Sequence, residues 1–199
     1  MAESESVIAT AISALASAFR AEREAAATAI FRMACDEIDY FACGWMQNPE
    51  FARLVGAPSP EFTAGVVVEP ELFAAIRNAN DSPLLADVPP EQDAAEFHLR
   101  VRASAGIDAR LEVLTTRDPS GEGAIARYLR KFGRGIQHVE MAASDVDRAT
   151  EILKTQFALQ PIYPAARAGA DKARINFFLV TNPNGKKILV ELEEEAKRS

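Results

Sequence analysis

Apolar residues recur along the chain in two rhythms. In "ESVIATAISALASAFRAEREAAATAIFRMACDEIDYFACGWMQ", Ile8, Ile12, Leu15, Phe19, Ala26, Ile30 and Met33 are spaced as one face of a long helix. The stretch is rich in alanine, lacks proline and meets its first glycine only at Gly44, all of which favour a helix. "NPEFARLVGAPSP" predicts a second, short helix, opened by Asn48 and Pro49 and stopped by Gly56 and two prolines. Residues 1–58 therefore read as a helical arm. Its apolar stripe must be covered by the following domain or by a second copy of the chain, so a homodimer is one expectation.

After Pro60 the period shortens to two. "FTAGVVVE" predicts a strand, "PELFAAIRNAN" a helix with Pro70 in its first turn, "PLLADV" a weak strand, and "AEFHLRVRAS" and "DARLEVLTT" two strands of a hairpin. The order then recurs. "IQHVEMAAS" predicts a strand, "DVDRATEILKTQF" a helix capped by Ser144 or Asp145, "LQPIYPA" a weak strand, and "ARINFFLVT" and "KKILVELEE" a second hairpin. Two βαβββ modules, 62–116 and 135–194, thus form one domain over 60–199, and a repeat of this kind says more about the fold than any single segment. The segment "DPSGEGAIARYLRKFGRG" joins them and carries one short helix.

Composition narrows the function classes. With 199 residues, 48% of them hydrophobic, the chain can bury a sizeable core. A formal charge of −7 argues against nucleic acid or an anionic membrane surface as partner. The absence of a signal-like leader and of a long apolar run makes the cytoplasm the expected location. Cys35 and Cys43 are eight apart, neither a redox nor a zinc-knuckle spacing, and are expected as buried free thiols. Arg127, Arg130, Lys131 and Arg134 read as a solvated helix face.

The stretch "LEVLTTRDPSGEGAIARYLRKFGRGIQHVEMAASDVDRATEILK", together with the terminal "ILVELEE", resembles the vicinal oxygen chelate superfamily, which includes glyoxalases, dioxygenases and bleomycin-resistance proteins, and is most similar to the methylmalonyl-CoA epimerases. The resemblance runs from Thr63 to Glu194. It implies an α+β fold in which two βαβββ modules form an open cup, with the helical segment as an addition. It also implies metal ligands on the first and last strands of each module. Glu112 and Glu191 match the last-strand positions and His138 the first-strand position of the second module, whereas the corresponding residue of the first module is Thr63.

The ligand set implied is Glu112, His138 and Glu191 around a divalent ion such as Co, Mn, Ni, Fe or Zn, and carboxylate and imidazole suit all of these. The activity implied is that of an isomerase or epimerase in which Glu191 or Glu112 moves a proton next to a thioester or ketone carbonyl. Thr63 also supports an alternative, a metal-free protein of the same fold that sequesters a small molecule; a related lyase or dioxygenase is a further alternative. His98, Arg100 and Arg102 alternate along one strand face and are candidates for substrate binding if that face is the inner one, as are Thr63 and Asn176.

Overall fold

The computed structural model describes residues 2–102, 106, 108–183 and 185–196, with the side chains of residues 2–6 excepted. In chain order the elements are α1 (Ala2–Ala14), α2 (Arg20–Trp45), α3 (Pro49–Leu54), β1 (Phe62–Val67), α4 (Pro70–Ala79), β2 (Ala95–Arg102) and β3 (Asp108–Thr115). Then follow α5 (Ala124–Phe132), β4 (Gly135–Ala142), α6 (Val146–Gln156), β5 (Arg167–Ala168), β6 (Arg174–Thr181) and β7 (Lys187–Glu194). The chain divides into two compact units, residues 1–34 with 63–137 and residues 35–62 with 138–199. Each unit combines one module with a share of the helical segment.

In the first unit β3 is the central strand, pairing antiparallel with β2 and parallel with β1. Alternation sends Phe97 and Leu99 of β2, Leu111 and Val113 of β3, and Ala64 and Val66 of β1 to one face, where all are buried. Helix α4 packs on β3, and its Phe73 ring lies 4.8 Å from the Phe97 ring. Burying aromatic pairs of this kind contributes about 0.5–1.5 kcal/mol beyond the area removed from water. The opposite face carries Glu96, His98 and Arg100 of β2, Arg110, Glu112 and Leu114 of β3, and Thr63, Gly65 and Val67 of β1.

The arm is not one helix. α1 stops at Ala14 and α2 starts at Arg20, leaving Phe19 69% exposed, while Ile12 and Leu15 are fully buried. Side-chain caps, local and long-range, close the break. The Arg23 guanidinium donates to the carbonyls of Ser17 and Ala18, and the Asn80 amide donates to the carbonyls of Leu15 and Ile76. Asn80 ends α4, so one side chain satisfies carbonyls at the ends of both α1 and α4. At the close of α5, Gly133 adopts φ +71°, a conformation that glycine takes without steric cost, and the chain turns there into β4.

In the second unit β7 is central, parallel to β4 and antiparallel to β6, with β5 on the outside of β6. Val139 and Met141 of β4, Val190 and Leu192 of β7, and Phe178 and Val180 of β6 share a buried face, and α6 packs against β6 and β7. Helix α6 is capped by Asp145, whose carboxylate accepts from the Arg148 N–H at 2.9 Å. The short α3 is tied to it, because Ser144 N–H donates to the Leu54 carbonyl and Arg148 pairs with Glu50 at 2.6 Å.

Both weak strands expected from sequence are corrected. Pro83–Val88 forms no ladder, its tie to β2 being Ala86 N–H to the Glu96 carbonyl at 3.0 Å. "LQPIYPA" forms no ladder and meets β6 through a bridge from Pro161 to Phe178, a bond from Ile162 N–H to the Phe177 carbonyl and the bonds of Tyr163 to the Asn176 side chain. Its two prolines cannot donate to a ladder, and pairing resumes only at β5. Among the described residues no helix is long and apolar enough to cross a membrane.

Candidate functional site

β4 and β7 run parallel in the second unit, with Glu140 opposite Glu191 and His138 opposite Leu189. His138, Glu140, Leu189 and Glu191 therefore share the face turned away from Val139, Val190 and Leu192. His138 Nε2 lies 3.3 Å from Glu191 Oε2, and their side chains are only 3% and 10% exposed. The Phe177 ring stands edge-on to the His138 imidazole, with centroids 6.1 Å apart. An imidazole is thus held beside a carboxylate in a nearly dry setting, where electrostatic interactions are stronger than in water.

The first unit builds its own acidic face. Glu112 lies opposite Gly65 on β1 and opposite His98 on β2. Glu96, His98 and Glu112 each offer one metal-binding atom, all within 4.8 Å of one another; both glutamates are buried and His98 is exposed. The strand registers also align the two units. Glu112 takes the place of Glu191, Gly65 that of Glu140, Thr63 that of His138, and His98 that of Phe177. Thr63 is therefore a buried hydroxyl at the position where the second unit has its imidazole.

His98, Arg100 and Arg102 lie on the Glu112 face by alternation. Arg100 donates three hydrogen bonds to Asp108, at 3.2, 2.9 and 2.7 Å, and these hold the Asp108 carboxyl below its usual range. Arg102 is exposed.

Asn176 lies on the opposite face from Glu191, in register with Leu192, and is fully buried. Its amide donates to the Tyr163 carbonyl at 3.1 Å, and its oxygen accepts from the N–H groups of Tyr163 and Phe177. It fastens the segment beside β6. In the linker, Arg130 pairs with Glu122 and Arg134 with Glu69.

Two buried glutamates escaped the reading of the sequence, Glu96 and Glu140. Each stands two residues from a histidine on the same strand face, in "EFH" and "HVE", and that spacing was the signal available.

No family model and no curated protein sequence matches the chain. Solved structures do. The chain is 30% identical to methylmalonyl-CoA epimerase from Mycobacterium tuberculosis, with a TM-score of 0.52 over 67% of this chain and 86% of that one. A Streptomyces coelicolor methylmalonyl-CoA epimerase in complex with 2-nitronate-propionyl-CoA is 22% identical, with a TM-score of 0.53 over 67% of this chain and 95% of that one. A methylmalonyl-CoA epimerase in complex with methylmalonyl-CoA is likewise 22% identical, at a TM-score of 0.53 over 68% and 93% of the two chains. With an α+β fold of two related modules, preceded by helices and matching the epimerase at that identity and coverage, the chain belongs to the methylmalonyl-CoA epimerase family of the vicinal oxygen chelate superfamily.

Proposed function

We propose that this protein is a metal-dependent isomerase or epimerase that moves a proton at the carbon next to a thioester or ketone carbonyl. Glu112, His138 and Glu191 would hold a divalent ion, one of Co, Mn, Ni, Fe or Zn. The observation that carries this reading is the buried His138–Glu191 pair, with Nε2 and Oε2 3.3 Å apart, in a chain of the epimerase family. One imidazole and two carboxylates fit such an ion: the donors are borderline to hard, and two negative charges balance the ion's own. When bound, the ion would polarise the carbonyl oxygen and stabilise the enolate.

The chain's own side chains handle the proton. Glu112 and Glu191 serve best as ligands, which dulls them as bases, although either can take the role if it leaves the ion. Glu96 is buried beside Glu112 and outside that ligand set, so it is suited to accept the proton. The C–H bond breaks, a carboxylic O–H forms, and the electron pair passes to the carbonyl oxygen. Inversion requires that a second, protonated carboxylate give a proton to the opposite face of that carbon, a part Glu191 would take once off the ion. The substrate class that follows is a 2-branched acyl-CoA, in keeping with the methylmalonyl-CoA held by a solved epimerase of the same fold. The test is uptake of deuterium from D₂O at the α-carbon of methylmalonyl-CoA by metal-loaded protein. Binding without exchange would overturn the reading.

Thr63 supports a second reading, a metal-free protein that sequesters a small molecule, because a hydroxyl stands where the second unit has His138. Metal analysis of untagged protein separates the two: a chain that stays metal-free after incubation with all five ions is the sequestering protein.

A further inference from the structure

Each unit places one histidine on the face of its central glutamate, but on different strands. In the second unit His138 stands on β4; in the first, that place on β1 is Thr63, and the imidazole is instead His98 on β2, directly opposite Glu112 and where the second unit has Phe177. The imidazole missing from β1 is thus supplied from β2. We propose that Glu96, His98 and Glu112 form a divalent-cation site contained within the first unit.

Their three ligand atoms all lie within 4.8 Å of one another, a span that one ion can bridge. Glu96 is 5% and Glu112 8% exposed, so two carboxylates share a space poor in water. Like charges this close repel strongly there, and a cation between them removes the repulsion. His98, exposed to solvent, completes the set. One nitrogen and two oxygens suit Zn, Co, Ni or Mn and leave open positions for water; the absence of a thiolate from the set argues against soft ions such as Cu(I). The site does not require His138. Its consequence for catalysis does rest on the proposed function: an ion here occupies Glu96, the carboxylate that the reaction needs for its proton, so filling this site opposes exchange.

The chain has only two histidines, so NMR of ¹⁵N-labelled imidazoles reads both candidate sites in one experiment on the full chain. On addition of Zn(II), the His98 signals should shift and saturate, and they should still do so in His138→Ala protein. His98→Phe places there the side chain that the second unit carries, which keeps the surface packed. It should lower the affinity of the first-unit site by at least the roughly 10–100-fold that loss of an outer-shell partner costs. If only His138 responds, this site is overturned and the ligand set of the proposed function stands. If only His98 responds, this site stands and that ligand set falls. If neither responds, both fall.

Discussion

His138 and Glu191 meet at 3.3 Å with almost no access to water. Divalent metal is therefore expected to copurify with untagged protein, and His138→Ala should remove most of it, as measured by elemental analysis. A ligand that binds only the folded state also raises stability by mass action. Chelation should accordingly lower the melting temperature of the wild type by more than that of His138→Ala, in which only the first-unit site is left to hold an ion. Equal effects of chelator on both proteins would contradict the assignment.

The two candidate roles of carboxylates separate by substitution. Glu96→Gln should cut deuterium exchange by at least about 10²-fold, the scale of losing a positioned acid–base group, and leave in place the metal held by Glu112, His138 and Glu191. Glu191→Gln should lower both exchange and metal content. Retention of full exchange by Glu96→Gln would return the proton to Glu112 or Glu191.

Sequence showed the strands wherever polar and apolar residues alternated, as in "ARLEVL" and "HVEMA", and the equivalence of Thr63 with His138 could be read by aligning the repeats. It failed where distant groups decide. The break between α1 and α2 is closed in part by Asn80, 65 residues from Leu15, a partner that the alanine-rich run itself does not announce. Asn176 is a candidate because its strand pairs, through the repeat, with the strand of His98 to Arg102, yet strand parity turns it from Glu191, and it bonds to the backbone of Tyr163. Glu96 and Glu140 alternate with apolar residues, a pattern that normally marks a solvated strand face. Here that face is polar and buried together.

Leu15 and Ile12 are as buried as any core residue, so the arm belongs to the fold. Leu15→Ala should destabilise the protein by about 2–5 kcal/mol, the usual range for emptying a packed leucine site. Phe19→Ser, at an exposed position, should change stability by about 0.5 kcal/mol or less. Urea denaturation distinguishes them. If the two variants lose stability equally, Leu15 is not packed as the structure has it.

Asn176 makes three hydrogen bonds to backbone groups and has no exposed surface. Asn176→Leu leaves the Tyr163 N–H and carbonyl to find other partners, at about 1–3 kcal/mol for each buried polar group left unsatisfied. A loss of about 2–4 kcal/mol in urea is expected, with metal content retained. Loss of metal at unchanged stability would instead restore Asn176 to the site.

The Glu50–Arg148 pair gives the second unit a dependence on acid. The hydrogen bond from Arg148 holds the Glu50 carboxyl below its ordinary value, despite the smaller opposing effect of desolvation. A group with a lowered folded-state pKa stabilises fully above its unfolded value and loses that contribution as pH falls through the folded one. The stabilisation is therefore present at neutral pH and disappears on acidification below the unfolded carboxyl's range. Glu50→Gln should flatten that part of the stability-versus-pH curve without moving the neutral-to-alkaline part. Parallel curves for the two proteins over the whole acid limb would show that the pair contributes nothing in solution.

The two cysteines should differ in reactivity. Burial pushes the Cys35 thiol up to about 11, with Asp39 and Asp36 adding to the shift, whereas Cys43 is exposed. The thiolate is the nucleophile, so at pH 8 iodoacetamide should label Cys43 well before Cys35. The Cys35 rate should keep rising about tenfold per pH unit up to the edge of its own titration, as long as the fold persists. Peptide mass spectrometry after timed quenching reads both sites at once. Equal labelling of the two at pH 8 would mean that Cys35 is neither shielded nor held protonated by its surroundings on α2.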